Sequence, residues 1–258
     1  MPFLEHDKIR FHYELSGEGR LLVFCHGLTG SLENARDAFG VFPGHLQIFW
    51  DARGHGATAP FGPLNGYSFD GFAQDLAAIL DHLNIRDAVI GGISMGAAVS
   101  ARFAIRYPAR VRGLVLVRPA WLTEPLPEGL RLFPLAAGLM ERYGAQRGLE
   151  LFDQQFPDAD ATLREQFLLK DAAERRSRLV GIPGDTPIRD WAEVANLQMP
   201  ALVIGNEPDD VHPLAYAIEW AKRLPHARFV QVPAKSAGFE PYAHAVHHHV
   251  AEFLKENP

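Results

Sequence analysis

One cysteine, Cys25, is the only thiol among 258 residues. A lone thiol excludes a disulfide within the chain and leans toward a reducing compartment, so the cytoplasm is the expected location. No run approaches the ~20 uninterrupted apolar residues that a membrane-crossing helix needs. MPFLEHDK at the start has neither the basic opening nor the apolar stretch of a signal peptide. Positive charge is not in excess either. A net charge of −6 gives no electrostatic reason to expect nucleic acid or an anionic membrane as partner. Internal repeats and low-complexity tracts are absent, and no Cys/His spacing calls for a cofactor or a metal. A small-molecule substrate is the partner class left, and nothing fixes an oligomeric state. With 47% hydrophobic and 22% charged residues, the composition is that of an ordinary globular protein.

Strand-like runs are frequent. IRFHYEL (9–15) alternates apolar and polar, as an edge or half-exposed strand would. LLVFC (21–25), AVIG (88–91), the LVLV of VRGLVLV (111–117) and ALVI (201–204) are continuously apolar, as parallel strands covered on both faces should be. LQIFW (46–50) and ARFVQV (227–232) complete the set. Helical patterns lie between them at 69–83, 97–107 and 215–224, and a last one carries Val246, Val250, Phe253 and Leu254 at helical spacing. Alternation of strand and helix predicts an α/β fold with a mostly parallel central sheet and helices on both faces. The rhythm breaks between about Ala120 and Met199, a strand-poor segment too long for a loop. It reads as a helical cap inserted into the core. Apolar residues such as Leu126, Leu130, Phe133 and Leu135 either line a pocket beneath it or form its own core.

GISMG (92–96) follows the strand-like DAVIG (87–91) and opens a helix. A sharp strand-to-helix turn exposes a serine hydroxyl, and glycines at 92 and 96 let the two elements approach around Ser94. The helix N-terminus frees the amide of Met95. VFCHGLTGS (23–31) is a second strand running into a glycine-bearing turn, able to set the Leu28 amide opposite that of Met95 as a two-donor oxyanion hole beside Gly27.

With HG (26–27), DARGHG (51–56), GISMG (92–96), RYPARV (106–111) and PALVIG (200–205) in this order, the chain resembles the α/β-hydrolase family over nearly its whole length. The resemblance implies a core from residues 1–120 and 200–258, with 121–199 as the helical cap. It also implies that His26 and His55 brace loops and do not transfer protons. The family's acid, four residues before a proline, falls on Asp209, with Asp210 and Glu207 as alternatives. The family's histidine is missing from its expected loop, VPAKSAGFEP (232–241). Three candidates remain for the base: His212, three residues past Asp209; His244 in the last helix; and Lys235, beside the vacant position. Gly27, Trp121, His244 and Lys235 are candidate substrate contacts. The run His247–His249 reads as a solvated helix flank, and ERRSR (174–178) as a solvated helix face rather than an anion site.

The expected activity is hydrolysis of a small, largely apolar carboxylic ester through a Ser94 acyl-enzyme. The alternative is a weak or inactive ligand-binding protein on the same fold, as loss of the histidine would suggest.

Overall fold

The computed structural model describes residues 3–157, 159, 161–169 and 171–257; residues 1, 2, 158, 160, 170 and 258, which include the outer ends of the expected core and three positions of the expected cap, lie outside them. In chain order the strands are β1 (Phe3–His6), β2 (Ile9–Gly17), β3 (Arg20–Cys25), β4 (His45–Trp50), β5 (Ala88–Ile93), β6 (Val111–Val117), β7 (Ala201–Asn206) and β8 (Ala227–Val232). The helices are α1 (Leu32–Phe39), α2 (Phe69–His82), α3 (Met95–Arg106), α4 (Leu132–Tyr143), α5 (Ala145–Gln155), α6 (Ala161–Glu165), α7 (Ala172–Arg176), α8 (Leu214–Arg223) and α9 (Phe239–Glu256). The strands form one sheet in the order β1-β2-β4-β3-β5-β6-β7-β8. The β1–β2 and β2–β4 pairings are antiparallel, and the rest are parallel.

Burial follows the apolar runs. Leu22, Phe24, Val115, Val117, Leu202 and Ile204 pack with α1 and α9 on one face, where Phe24 stacks on Phe39 at 3.9 Å between centroids. The opposite side chains of the same strands, such as Val23, Ile90, Leu116 and Val203, pack with α2, α3 and α8. Two covered faces are what continuous apolar strands require. Of the two readings of IRFHYEL, an edge or a half-exposed strand, the edge fails. β1, four residues long, takes that place, so β2 lies between two neighbours and buries Ile9, Phe11, His12 and Tyr13.

Between β6 and β7 the described residues are helices α4–α7 and short turns, with no strand. Leu130, Phe133, Ala136, Phe152, Phe167 and Leu179 of this helical insertion are buried and continue the cluster formed with α2, α3 and α8. Leu135 is exposed, so Leu130, Phe133 and Leu135 do not form the wall of one pocket.

Candidate active site

Register places the pieces. Cys25 of β3 pairs with Gly92 of β5, so Gly27 and Ser94, each two residues further on, emerge side by side at the C-terminal edge of the sheet. A Cβ on Gly27 would lie 3.6 Å from the Ser94 Cβ. Ser94 sits at φ 56°, ψ −113°, a left-handed conformation costing roughly 1–3 kcal/mol in a non-glycine residue. The surroundings hold it there. Its N–H donates to the Val117 carbonyl at 2.9 Å, and its carbonyl accepts from Ala98 at 3.1 Å. A Cβ on Gly96 would fall 2.1 Å from the Cys25 carbonyl oxygen, and one on Gly92 2.4 Å from the Gly96 carbonyl carbon. Only glycine permits so close a corner.

Met95 is the first residue of α3, and its amide has no intrahelical acceptor to use. Among the described residues neither the Leu28 nor the Met95 amide donates to a turn or loop carbonyl. The His26 ring steadies the Leu28 loop, with Nδ1 donating to the Gly27 carbonyl at 2.7 Å and Nε2 accepting from the Ala52 amide at 3.0 Å. His55 donates from Nδ1 to the Arg53 carbonyl at 3.0 Å. Both imidazoles are buried and point to backbone, as loop braces do.

Beyond β7 the chain turns tightly, and Asp209 Oδ1 accepts the His212 amide at 3.1 Å. That local bond, between residues three apart, brings the imidazole back over its own carboxylate. His212 Nδ1 lies 3.0 and 3.1 Å from the two Asp209 oxygens. His212 Nε2 lies 2.8 Å from Ser94 Oγ. A carboxylate acceptor at Nδ1 keeps the proton there and leaves Nε2 as acceptor for the hydroxyl proton. Gly129 of the insertion presses on this loop, since a Cβ there would meet the Asp210 carbonyl oxygen at 2.2 Å.

Arg118, at φ 50° just past β6, was not among the candidates. Its Nε and Nη2 donate to Asp209 Oδ2 at 2.8 and 2.5 Å. A cation at the end of one parallel strand can face the acid that follows the next. Burial opposes the Asp209 charge, but His212 and Arg118 outweigh it and hold the carboxyl well below the usual carboxylate range. Burial first, then the Arg118 charge, pushes the His212 imidazole down to about 4, against the upward pull of Asp209.

The other base candidates are not at the hydroxyl. His244 is exposed on α9 and is not the group that meets the hydroxyl. Lys235 lies in the short turn Lys235–Ala237, and its charge adds to the downward push on His212 without replacing it. Trp121 is core and not a substrate contact. It is 1% exposed, packs edge-on to Phe69 at 5.1 Å, and its carbonyl accepts from Trp220 Nε1 at 2.8 Å.

Two solvated-face expectations also fail in part. His247 stacks on Phe42 at 4.5 Å and its ring bonds to the Phe39 carbonyl at 2.8 Å, pinning α9 to α1; only its neighbours His248 and His249 reach outward, to Glu252. Arg178 of the ERRSR run is buried, because it enters a π-helical turn at Ser177–Gly181 that rotates it inward.

With a serine at a glycine-flanked corner and a histidine–carboxylate pair on its hydroxyl, at the C-terminal edge of a parallel sheet, the fold and site define one class. Residues 20–145 match the family model described as alpha/beta hydrolase fold. The chain is 30% identical to a non-heme haloperoxidase of Rhodococcus erythropolis, with 92% of this chain and 93% of that protein covered. In structure it is similar to the enol-lactonase from Burkholderia xenovorans LB400 (TM-score 0.77, 23% identity, 98% of this chain and 100% of that one). It is also similar to a thermophilic esterase from Thermogutta terrifontis (TM-score 0.69, 22% identity, 96% and 94%). The chain belongs to the α/β-hydrolase family.

Proposed function

We propose that the protein is a serine hydrolase of small carboxylic esters or lactones, with Ser94 as nucleophile, His212 as general base and Asp209 as its orienting acid. The observation that carries this reading is the 2.8 Å contact of His212 Nε2 with Ser94 Oγ, backed by Asp209 at Nδ1. Ser94 Oγ attacks the ester carbonyl carbon while its proton passes to His212 Nε2. The Leu28 and Met95 amides stabilise the resulting oxyanion. Collapse returns the carbonyl and expels the alcohol, which takes the proton from His212. A water then gives a proton to His212, attacks the acyl-enzyme and releases the carboxylic acid and free Ser94. Neighbours described as an enol-lactonase and an esterase fit this chemistry.

The helical insertion serves as the cap, and no cofactor takes part. Among the described residues no helix is long and apolar enough to cross a membrane. The cytoplasm fits Cys25, a buried thiol that burial pushes up to about 12. Loss of the usual histidine favoured a non-catalytic binder, and His212 removes that argument.

Turnover of 4-nitrophenyl butyrate by the protein and by Ser94→Ala tests the reading. The variant is expected to lose activity by about 10⁶-fold. Wild-type protein with no turnover would overturn the proposal.

The pH dependence carries a second expectation. Only the neutral imidazole can accept the serine proton, so kcat/KM is lost as pH falls through the base pKa. With His212 at about 4, activity holds well below the ordinary imidazole value of 6.5 and halves near 4. Arg118→Met removes a charge that depresses His212, so the acid midpoint moves upward. A purely structural Arg118 would lower the rate without moving that midpoint. Product release followed by chromatography from pH 3.5 to 8 would read the shift.

A further inference from the structure

Arginines held inside this fold present the same edge of the guanidinium to a carboxylate. Arg53 donates from Nε and Nη2 to the two oxygens of Asp75 at 2.7 and 2.6 Å. Arg102 does so to Asp70 at 2.7 and 3.0 Å, and Arg118 turns the same two nitrogens to Asp209 Oδ2. Arg178 breaks the pattern. It is 6% exposed, and its one contact is from Nη1 to Glu174 at 3.4 Å, while Nε is sealed from solvent with no partner and Nη2 has none among the described residues. A buried guanidinium without a bidentate partner is costly, and π-helical turns are frequent at functional sites.

The charge is felt by the two histidines that brace the loops beside Ser94. After burial itself, Arg178 is the main influence holding the His55 imidazole down, and it also depresses His26. His26 braces the Gly27 carbonyl at the entry to the Leu28 loop. His55 Nε2, like Arg178 Nε, is buried without a partner. A second insertion residue reaches the same loop, where Thr162 Oγ1 meets Thr29 Oγ1 at 2.9 Å.

We propose that the open Nε/Nη2 edge of Arg178 receives a carboxylate carried by the substrate, making the preferred substrates anionic esters or lactones. This rests on the Ser94 hydrolase reading for its catalytic half and adds an anionic end to the largely apolar substrate expected from the sequence. The planar fork of the guanidinium matches a carboxylate in two parallel bonds, which an ammonium cannot reproduce. Anchoring one end of the substrate here would hold its ester carbonyl over Ser94 and convert binding energy into orientation.

Two measurements test it. Rates on 4-nitrophenyl hydrogen glutarate and on neutral 4-nitrophenyl butyrate give a preference ratio in kcat/KM. Arg178→Met and Arg178→Lys are expected to lower that ratio by about 10–100-fold. Separately, thermal melts of Ser94→Ala with glutarate, glutaramide or chloride read binding without chemistry. Glutarate alone should raise the midpoint, and Arg178→Met should abolish the rise. Ligand-free Arg178→Met should melt no lower than its parent, because a buried unpaired charge has been replaced by an apolar chain of similar length.

An unchanged ratio, a glutarate response that survives Arg178→Met, or an equal response to chloride would overturn the carboxylate site. So would a lower ligand-free midpoint together with equal losses on both esters, since Arg178 would then be structural. Ester turnover without charge preference would leave the hydrolase reading standing alone. An Arg178-dependent glutarate response without turnover would leave the anion site standing and sink the hydrolase.

Discussion

His212→Ala is expected to lower kcat/KM for 4-nitrophenyl butyrate by about 10⁴-fold. The imidazole is the one group among the described residues hydrogen-bonded to the Ser94 hydroxyl, and without it an un-ionised serine must attack unaided. The residue of catalysis would come from the Leu28 and Met95 amides, which do not depend on the base. The fold should survive, since burial and Arg118 already keep the imidazole neutral near pH 7, and Asp209 retains Arg118 as its partner. An unaltered thermal midpoint in the variant checks that point. His244→Ala, at an exposed position on α9, is expected to stay within about twofold of wild type. A collapse of activity in His244→Ala, with His212→Ala active, would reassign the base.

Gly96→Ala is expected to be the most damaging small substitution. In an ordinary helix the change stabilises by up to about 1 kcal/mol. Here the added Cβ would sit 2.1 Å from the Cys25 carbonyl oxygen and 2.8 Å from that of His26, both backbone atoms that no rotamer change can move aside. Overpacking of this kind costs about 3 kcal/mol or more, a fall of about 6–12 °C in midpoint for a domain of this size. Activity should fall further than stability does, because β3 leads directly into the Leu28 loop and any retreat of it opens the distance between the two amides. Gly138→Ala in α4, where the added atom meets nothing within 4 Å, is the control. It should be neutral or slightly stabilising, as measured by thermal melts of the two variants side by side.

The sheet was largely legible in the sequence because its inner strands are covered on both faces, so their apolar runs are continuous. The serine corner was legible for a related reason: glycine on either side of a serine marks a steric need that chance rarely reproduces after a strand. What escaped was local polarity that only packing can interpret. Phe3–His6 is too short to show alternation, and α1 hides Leu32, Ala35, Ala38 and Phe39 among charged neighbours. His212 was visible as a candidate three residues from Asp209, but choosing it over His244 and Lys235 required the turn that folds it back onto its own carboxylate. Arg118 needed the pairing of β6 with β7 to bring it against that carboxylate. Arg178 needed a π-helical turn, which shifts the face a residue presents and which no periodicity in ERRSR announces. His247 misled in the same way, since a run of three histidines reads as one face while a helix turns them onto three.

The central claim is that an activated hydroxyl at Ser94 depends on a histidine borne by the acid's own loop. Labelling with a serine-directed fluorophosphonate, followed by peptide mapping by mass spectrometry, addresses it most directly. The account predicts one modified residue, Ser94, labelled rapidly in wild type and His244→Ala and at least about 100-fold more slowly in His212→Ala. Label on another residue, or labelling of Ser94 at an equal rate without His212, would contradict it.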